Sequence, residues 1–505
     1  MRIGTLTILL GFILVSFGYS QPVLTPKNMA LGGGGSTYIT DYNANFYNPA
    51  NLHIRDRKGR VNLGFLITGT YFNPVQSFSN LDDQRKNFTD YLVQYKPGSY
   101  SIGQTEKKQI IDQNYSAKRL TSPHQSRFET TLFGIHWKNK DNAYSIAMRT
   151  RTSSTFEVGR NWYSIVPVTD NDVAYSNQTL RHRHQTLHEI SFGYAESIDF
   201  FNHLSSRLHN IIIGIAPKLV LGGAYQNASW KNVYSQESGS NVIQRAQDFE
   251  YAAVGRFKDA TQDYLGGISA NQAIQDNINP ISDQIFDIYG VGAGLDIGLT
   301  YLLTLGSDLT ALNNRNEQIH SSLRISVSIT DIGFVSYKDD GISYNVSKDT
   351  TNVASFPSTA SDAFIGAPGQ FLIFADQFAE TNPFKDFTSN TNRFSVLLPT
   401  ALHSGILLEF NRVKLSGDIS MGLTNSAFNS KKLVASFGAE IRPLKFLPLR
   451  AGTQLASELP GYISLGTALE TRYWDFSIAT QLSMGTYSSI SNFTGLTVAA
   501  LQFHL

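Results

Sequence analysis

The sequence predicts an all-β fold: a transmembrane antiparallel β-barrel of about fourteen strands, with a small N-terminal lumenal plug and long extracellular loops. Three observations lead to this prediction. Apolar and polar residues alternate along most of the chain, short and long connections follow the alternating runs in turn, and no apolar run is long enough for a spanning helix. The composition agrees, because Gly (40), Phe (32) and Tyr (24) are abundant and charged residues make up only 16%.

Residues 1–20 are predicted to be a secretory signal peptide. Arg2 precedes an apolar run at residues 6–17, and small residues lie at the −3 and −1 positions before Gln21. An exported chain whose strands alternate without a hydropathy peak is expected in the outer membrane of a Gram-negative cell. The rest divides into a plug at residues 21–60 and a barrel at residues 61–505.

The alternation is clearest between Ile288 and Leu302. One face of this run is apolar and ends in tyrosines, whereas the other carries four glycines, Asp296 and Thr300. An apolar face with aromatic ends is typical of a strand that faces lipid. Fourteen runs of this kind are predicted as strands, at residues 61–72, 127–138, 142–152, 186–198, 209–222, 288–304, 319–333, 401–410, 412–422, 432–442, 446–456, 461–470, 473–484 and 495–505.

The connection lengths give the orientation of the strands. Barrels of this class have short periplasmic turns and longer extracellular loops. If the first strand rises from the periplasm, the long connections at residues 73–126, 153–185, 223–287 and 334–400 all lie outside the cell. They are expected to fold over the mouth of the barrel.

The alternation is missing between residues 21 and 60. This segment contains the glycine run Gly32–Gly35 and the element Asn45-Phe46-Tyr47-Asn48-Pro49-Ala50-Asn51-Leu52, and glycine runs and Asn-Pro form turns rather than strands. A glycine-rich stretch followed by aromatic-Asn-Pro-Ala resembles the N-terminal hatch of FadL-like outer-membrane barrels, the FadL/PorV superfamily. Within it the chain looks most similar to the uncharacterised Bacteroidetes branch.

The resemblance implies that this segment folds into the lumen of a fourteen-stranded barrel. The hatch or gate residues that it identifies are Gly32, Gly33, Gly34, Asn48, Pro49 and Ala50. A fixed φ at Pro49 and a small side chain at Ala50 suit a tight turn inside a barrel wall. Whether the hatch moves as a gate or is a static plug stays open, and the ligand-binding residues of the family have no counterpart here.

Charged residues also occur on the face predicted to line the lumen. They include Asp296, Arg324, Glu409, Lys414, Asp418 and Glu440. Because their signs are mixed, we expect internal salt bridges rather than an ion-selective ring, which needs one dominant sign.

Several kinds of chemistry are disfavoured by the sequence. With no cysteine, disulfides and thiolate sites are excluded, and a net charge of +1 argues against nucleic acid as a partner. The histidines in Arg181-His182-Arg183-His184 alternate with arginines, which repel a metal cation, so a polar loop or contacts with lipopolysaccharide phosphates are favoured. A hydrolase is the competing class, but no Gly-x-Ser-x-Gly motif occurs. We expect no enzyme, no cofactor and no metal.

Two functions follow as hypotheses. The first is a passive channel for small hydrophobic molecules, with a ligand in an apolar pocket under the long loops. The alternative is a non-conducting scaffold or accessory barrel, similar to PorV, for protein secretion or surface attachment. The expected partners are outer-membrane lipid and lipopolysaccharide, a hydrophobic small-molecule ligand, and a secretion or surface-lipoprotein partner.

Overall fold

The computed structural model describes most of the chain. It covers residues 24–54, 61–73, 102–115, 120–139, 142–164, 168–170, 173–198, 209–237, 239–278, 287–305, 321–356, 358–361, 369–378, 381–385, 391–456, 461–484 and 490–505. The predicted signal peptide lies outside these ranges, as do the last residues of the segment 21–60.

Strands dominate the described residues. They are β1 (Val61–Asn73), β2 (Thr121–Lys138), β3 (Asn142–Gly159), β4 (Val168–Asp170), β5 (Val173–Ile198), β6 (His209–Glu237), β7 (Ile243–Val254), β8 (Gly290–Thr304), β9 (Ser321–Val353), β10 (Thr391–Leu397), β11 (Ala401–Phe410), β12 (Val413–Gly422), β13 (Leu433–Leu444), β14 (Leu447–Ala456), β15 (Tyr462–Glu470), β16 (Trp474–Met484) and β17 (Ile490–His504).

The strands form one closed antiparallel barrel. All seventeen belong to one sheet, and β1 pairs with β2 on one side and with β17 on the other, so the sheet closes on itself. Three of the seventeen, β4, β7 and β10, pair only with strand extensions at the end of the long connections, which leaves fourteen in the ring. The predicted fourteen-stranded antiparallel barrel is confirmed. A closed ring satisfies every ladder hydrogen bond, as lipid requires.

Several strands continue beyond their predicted ends. β5, β6 and β9 extend past the barrel at the end of the long connections. There β7 pairs with β6 on one side and with β9 on the other, and so takes the place that β8 has between the same strands in the barrel. The long connections are therefore partly a sheet that rises from the barrel rim. Their Asn-, Ser- and Gln-rich sequence obscures these strand extensions, because both faces of the sheet carry polar residues.

One face of the extended sheet carries a cap of helices. Helices Arg256–Leu265, Ala270–Asn277 and Gln370–Asp376 pack there with an aromatic core that includes Trp162, Trp230, Phe249, Phe374 and Phe378. Burial raises the pKa of Tyr251 to about 12, so its hydroxyl stays protonated beside the Thr261 hydroxyl at 2.5 Å. No helix among the described residues is long and apolar enough to span a membrane.

The outer surface of the barrel is apolar. Side chains such as Val291 (55% exposed), Leu415 (49%) and Phe437 (53%) point outward, whereas Asp296 and Thr300 on the opposite face of β8 are 0% exposed. This is the orientation that the alternation predicts, with one parity toward lipid and the other toward a polar lumen.

The inward faces carry glycines where the N-terminal segment, residues 24–54, approaches the wall. A Cβ at Gly298 would lie 1.9 Å from Asn48 Oδ1, and a Cβ at Gly214 would lie 2.2 Å from the Ala50 nitrogen. Such distances are far below van der Waals contact, so only glycine allows this approach. Equivalent glycines on β1, β2, β5 and β14 also contact the segment, which therefore lies inside the ring.

We expect Gly298→Ala to destabilise the protein by about 1–3 kcal/mol, because the added methyl overlaps the Asn48 side chain. The matched control is Gly417→Ala on β12, where the nearest atom to an added Cβ is 3.6 Å away. Thermal unfolding of both variants, followed by circular dichroism, measures the difference. Equal melting temperatures would show that the segment does not press on the wall at Gly298.

Candidate functional site: a closed lumen

The N-terminal segment is built from three short helical turns. The helix Pro26–Ala30 begins after Thr25, whose hydroxyl accepts from the Asn28 nitrogen at 3.2 Å. Two 3₁₀ turns follow, Tyr42–Phe46 and Pro49–His53. The side chains of Thr25, Asp41 and Asn48 cap the three turns, and Pro26 and Pro49 begin two of them. Such caps and a fixed φ at the first residue favour a helical turn over a strand.

Asn48 links the two halves of the segment to the barrel. Its side-chain oxygen accepts from the Ala50 nitrogen at 3.2 Å, and its amide donates to the Ser36 carbonyl at 2.8 Å and to the Thr300 hydroxyl on β8 at 2.9 Å. Pro49 occupies the first position of the turn, and Ala50 packs against Gly214. The predicted hatch residues Asn48, Pro49 and Ala50 thus meet β6 and β8.

The glycine run meets the opposite side of the wall. Gly32 has φ +82°, and a Cβ there would lie 2.5 Å from the Thr453 carbonyl on β14, so the position requires glycine. A Cβ at Gly34 would lie 2.4 Å from the Asp418 carboxylate. Asp418 accepts from the nitrogens of Gly35 (3.2 Å) and Ser36 (3.0 Å) and from the Ser36 hydroxyl (2.6 Å).

A buried ionic layer crosses the lumen beside the segment. It consists of four cations and four anions, and none of these side chains is more than 7% exposed. They lie on six neighbouring strands of the ring: Arg127, Glu129, Arg149, Arg151, Glu189, Lys218, Asp296 and Asp331. At this level the lumen is closed to solvent.

The layer is connected throughout and electrically neutral. Arg149 contacts Glu129 at 3.0 Å and Glu189 at 2.6 Å. Lys218 contacts Asp296 at 2.9 Å and also bonds to Asp331. Pairing of every charge offsets the large cost of removing these ions from water.

Two phenylalanines cover the layer from opposite sides. Phe46 of the N-terminal segment lies over the Arg149 guanidinium, whose carbon is 3.9 Å from the ring centre. Phe428 lies over Arg151 at 4.7 Å and over Arg127 at 5.5 Å. Each contact is a cation–π interaction that also shields the ions from water.

Phe428 belongs to the connection between β12 and β13, residues 423–432, which folds into the barrel and which we call the inner loop. The Ala427 carbonyl accepts from Gln125 Nε2 (3.1 Å), Ser153 Oγ (2.6 Å) and Thr155 Oγ1 (2.8 Å). Asn429 Nδ2 donates to the Pro399 carbonyl at 2.7 Å. The lumen is therefore covered by the N-terminal segment on one side of the ionic layer and by the inner loop on the other.

An apolar cluster surrounds the inner loop. Its buried members are Leu187, Val220, Val254, Val335, Tyr337, Leu398, Ala427 and Phe428, with Tyr225, Tyr289, Phe394 and Val396 packed against them. Several members of the cluster lie above the bulge in β9, where Tyr337 pairs with Phe394 and Val335 with Val396. Val335 and Tyr337 are fully buried on the lumen side.

Beyond this apolar cluster lies a cavity of about 1200 Å³, the vestibule, inside the extended sheet. Phe394 and Val396 form an apolar part of its lining, but Arg183, Asn227, Glu250 and other polar residues line the rest. The predicted apolar pocket under the long loops is thus an amphipathic cavity. Charged residues are accommodated because this region rises above the barrel rim.

The sequence-predicted lumen charges lie in four places. Asp296 belongs to the ionic layer, and Asp418 bonds to the N-terminal segment. Glu409 pairs with Arg324 at 2.7 Å and with Lys414 at 2.8 Å. Glu440 joins a further network through Arg450 at 2.6 Å and Arg442 at 2.7 Å. No described group of His, Asp and Glu is arranged to hold a metal.

Asp331 and Phe428 belong to the site, but no pattern in the sequence indicates them. Asp331 has φ +58° and sits at a bulge, where β8 and β9 shift register between Leu295 and Ile297. The bulge turns Asp331 inward against the simple alternation. A non-glycine residue in that backbone region cannot be read from sequence, and neither can the inward fold of the loop that carries Phe428.

One family matches most of the chain. The match covers residues 77–498 and is described as "Family of unknown function (DUF5723)". The chain belongs to the DUF5723 family. No curated protein matches it.

Solved structures similar to this DUF5723 chain include a toluene transporter, a monoaromatic hydrocarbon channel and a FadL homologue. The Pseudomonas putida toluene transporter TodX is 11% identical, with a TM-score of 0.42, 97% of this chain covered and 100% of that chain. The CymD monoaromatic hydrocarbon channel is 12% identical, with a TM-score of 0.39, 98% of this chain covered and 99% of that chain. A Pseudomonas aeruginosa FadL homologue is 10% identical, with a TM-score of 0.23, 97% of this chain covered and 100% of that chain.

The contribution of the ionic layer to the free energy of unfolding can be tested by substitution. Lys218→Met leaves Asp296 and Asp331 without their shared cation, so we expect a loss of about 3–5 kcal/mol in unfolding free energy. Adding Asp296→Asn to Lys218→Met removes the one excess negative charge, because Asp331 keeps its contact with Arg151 at 2.9 Å. The double variant should recover part of the loss, as measured by denaturant unfolding in detergent. Purely additive losses would show that the two side chains are not coupled.

Proposed function

We propose that this chain is a gated outer-membrane channel that takes up small hydrophobic molecules, with the N-terminal segment as its gate. The proposal rests above all on the apolar cluster at the floor of the vestibule. Most of the lumen is lined by polar and charged side chains. An apolar constriction in such a lumen serves one of two purposes: apolar molecules pass through it, or it keeps water out.

The contacts of the N-terminal segment support the role of a gate. Five buried asparagines lie in it: Asn28, Asn43, Asn45, Asn48 and Asn51. Four of them, Asn43, Asn45, Asn48 and Asn51, bond to the wall. These hydrogen bonds exchange for bonds to water on release, so each stabilises the closed state by only about 1 kcal/mol. Apolar side chains of the segment also pack on the wall in three small clusters, so the segment holds a defined position and opening must break both kinds of contact.

Location in the outer membrane is part of the proposal. The apolar outer surface of the closed barrel and the predicted signal peptide at residues 1–20 support it. The long connections then lie outside the cell, and the vestibule is the entrance. Assignment to the Bacteroidetes branch, and contacts with lipopolysaccharide, stay predictions from sequence.

A disulfide across the gate tests the proposal. The hydroxyls of Ser36 in the segment and Ser326 on β9 are 2.9 Å apart, and the natural chain has no cysteine. Oxidised Ser36→Cys/Ser326→Cys is expected to abolish uptake of N-phenyl-1-naphthylamine by cells that express the protein and lack their own hydrophobic-compound channels. Reduction with dithiothreitol should restore uptake.

The matched control is Thr68→Cys/Thr130→Cys, whose hydroxyls are 3.1 Å apart on the neighbouring strands β1 and β2. It introduces a disulfide into the wall without tying the segment down, and uptake should not change on oxidation. Undiminished uptake through the oxidised Ser36–Ser326 protein would refute the gate. No uptake by the reduced protein would refute the channel and favour the scaffold alternative.

A further inference from the structure

Four side chains on the polar wall of the vestibule are open to the cavity, and the two charged ones, Arg183 and Glu250, attract each other only at long range. Arg183 on β5, Asn227 and Ser229 on β6, and Glu250 on β7 line the cavity. None of the four makes a side-chain hydrogen bond or an ion pair within the part of the chain that the structure describes. By contrast, the neighbouring Arg181 is paired with Glu157 at 2.9 Å.

These four side chains form a diagonal row with a charge at each end. Arg183 pairs with Asn227 across β5 and β6, and Ser229 pairs with Glu250 across β6 and β7. The Cα atoms of the two charged residues are thus two strand spacings and two residues apart, roughly 12 Å. An amide and a hydroxyl, which bind peptide groups or hydroxyls, lie between them.

This arrangement defines the ligand by its chemistry. An anionic group suits Arg183, because a guanidinium binds a carboxylate through two parallel hydrogen bonds. A cationic group suits Glu250. Three to four extended peptide residues span roughly 10–13 Å, which matches the separation of the two residues. Phe394 and Val396, which also line the cavity, offer an apolar surface to side chains.

We propose that the vestibule binds a short zwitterionic peptide of about three residues, with its carboxylate on Arg183 and its ammonium on Glu250. The backbone of the peptide bonds to Asn227 and Ser229. This site goes beyond the proposed uptake of hydrophobic molecules and does not require the lumen to open. It uses Arg183 of the Arg181–His184 stretch, which lines the vestibule.

Calorimetric titration of the full chain in nanodiscs with trialanine tests the proposal. Trialanine is expected to bind saturably, and N-acetyl-trialanine amide, which lacks both terminal charges, is expected not to bind. Arg183→Gln and Glu250→Gln should each weaken binding about tenfold or more. The matched control Lys445→Gln removes one exposed charge in the short turn between β13 and β14 and should leave binding unchanged.

Glu250 is exposed at the cavity surface, so Glu250→Gln is expected to fold and keeps the test valid if Arg183→Gln fails to fold. No saturable binding of trialanine, equal binding of the blocked peptide, or unchanged affinity in Glu250→Gln would each overturn the proposal. Because binding is measured without transport, these results are independent of the cysteine experiment on the gate.

Discussion

The neutrality of the buried ionic layer is the constraint on which the rest of the lumen depends. Its eight charged side chains connect β2, β3, β5, β6, β8 and β9. An unpaired ion buried here would cost several kcal/mol, so the six strands must hold a register that keeps each cation against an anion. The same pairing allows Phe46 and Phe428 to lie directly on guanidinium groups, because the carboxylates beside them already balance the charge.

The N-terminal segment fits this lumen through close packing, hydrogen bonds and apolar contacts together. Wall glycines such as Gly214 and Gly298 let backbone and asparagine side chains approach to distances that no Cβ allows. Asp418 then fixes the glycine run from the other side of the barrel. Apolar side chains of the segment pack against the wall in three further clusters, and all these contacts together give the segment a single position.

The sequence predicts the barrel well because an apolar outer surface and a polar interior impose a period of two on every strand of the ring. β8 shows this best, with Val291, Ile297 and Leu299 outward and Asp296 and Thr300 inward. Above the rim that constraint ends, so the extensions of β5, β6 and β9 carry polar residues on both faces and their ends are not predictable from alternation. The inward position of Asp331 is not predictable for another reason. A bulge turns its side chain toward the lumen without any change in composition.

The two coverings of the ionic layer differ in a way that bears on opening. The inner loop is held by three donors on the single Ala427 carbonyl, whereas the N-terminal segment is held by contacts distributed around the ring. The Ala427 carbonyl thus accepts three hydrogen bonds at one point, and Asn429 and Phe428 hold the inner loop beside it. Release of the segment requires many separate contacts to break. Once either covering leaves, water meets a layer with no net charge, which attracts neither ion sign over the other.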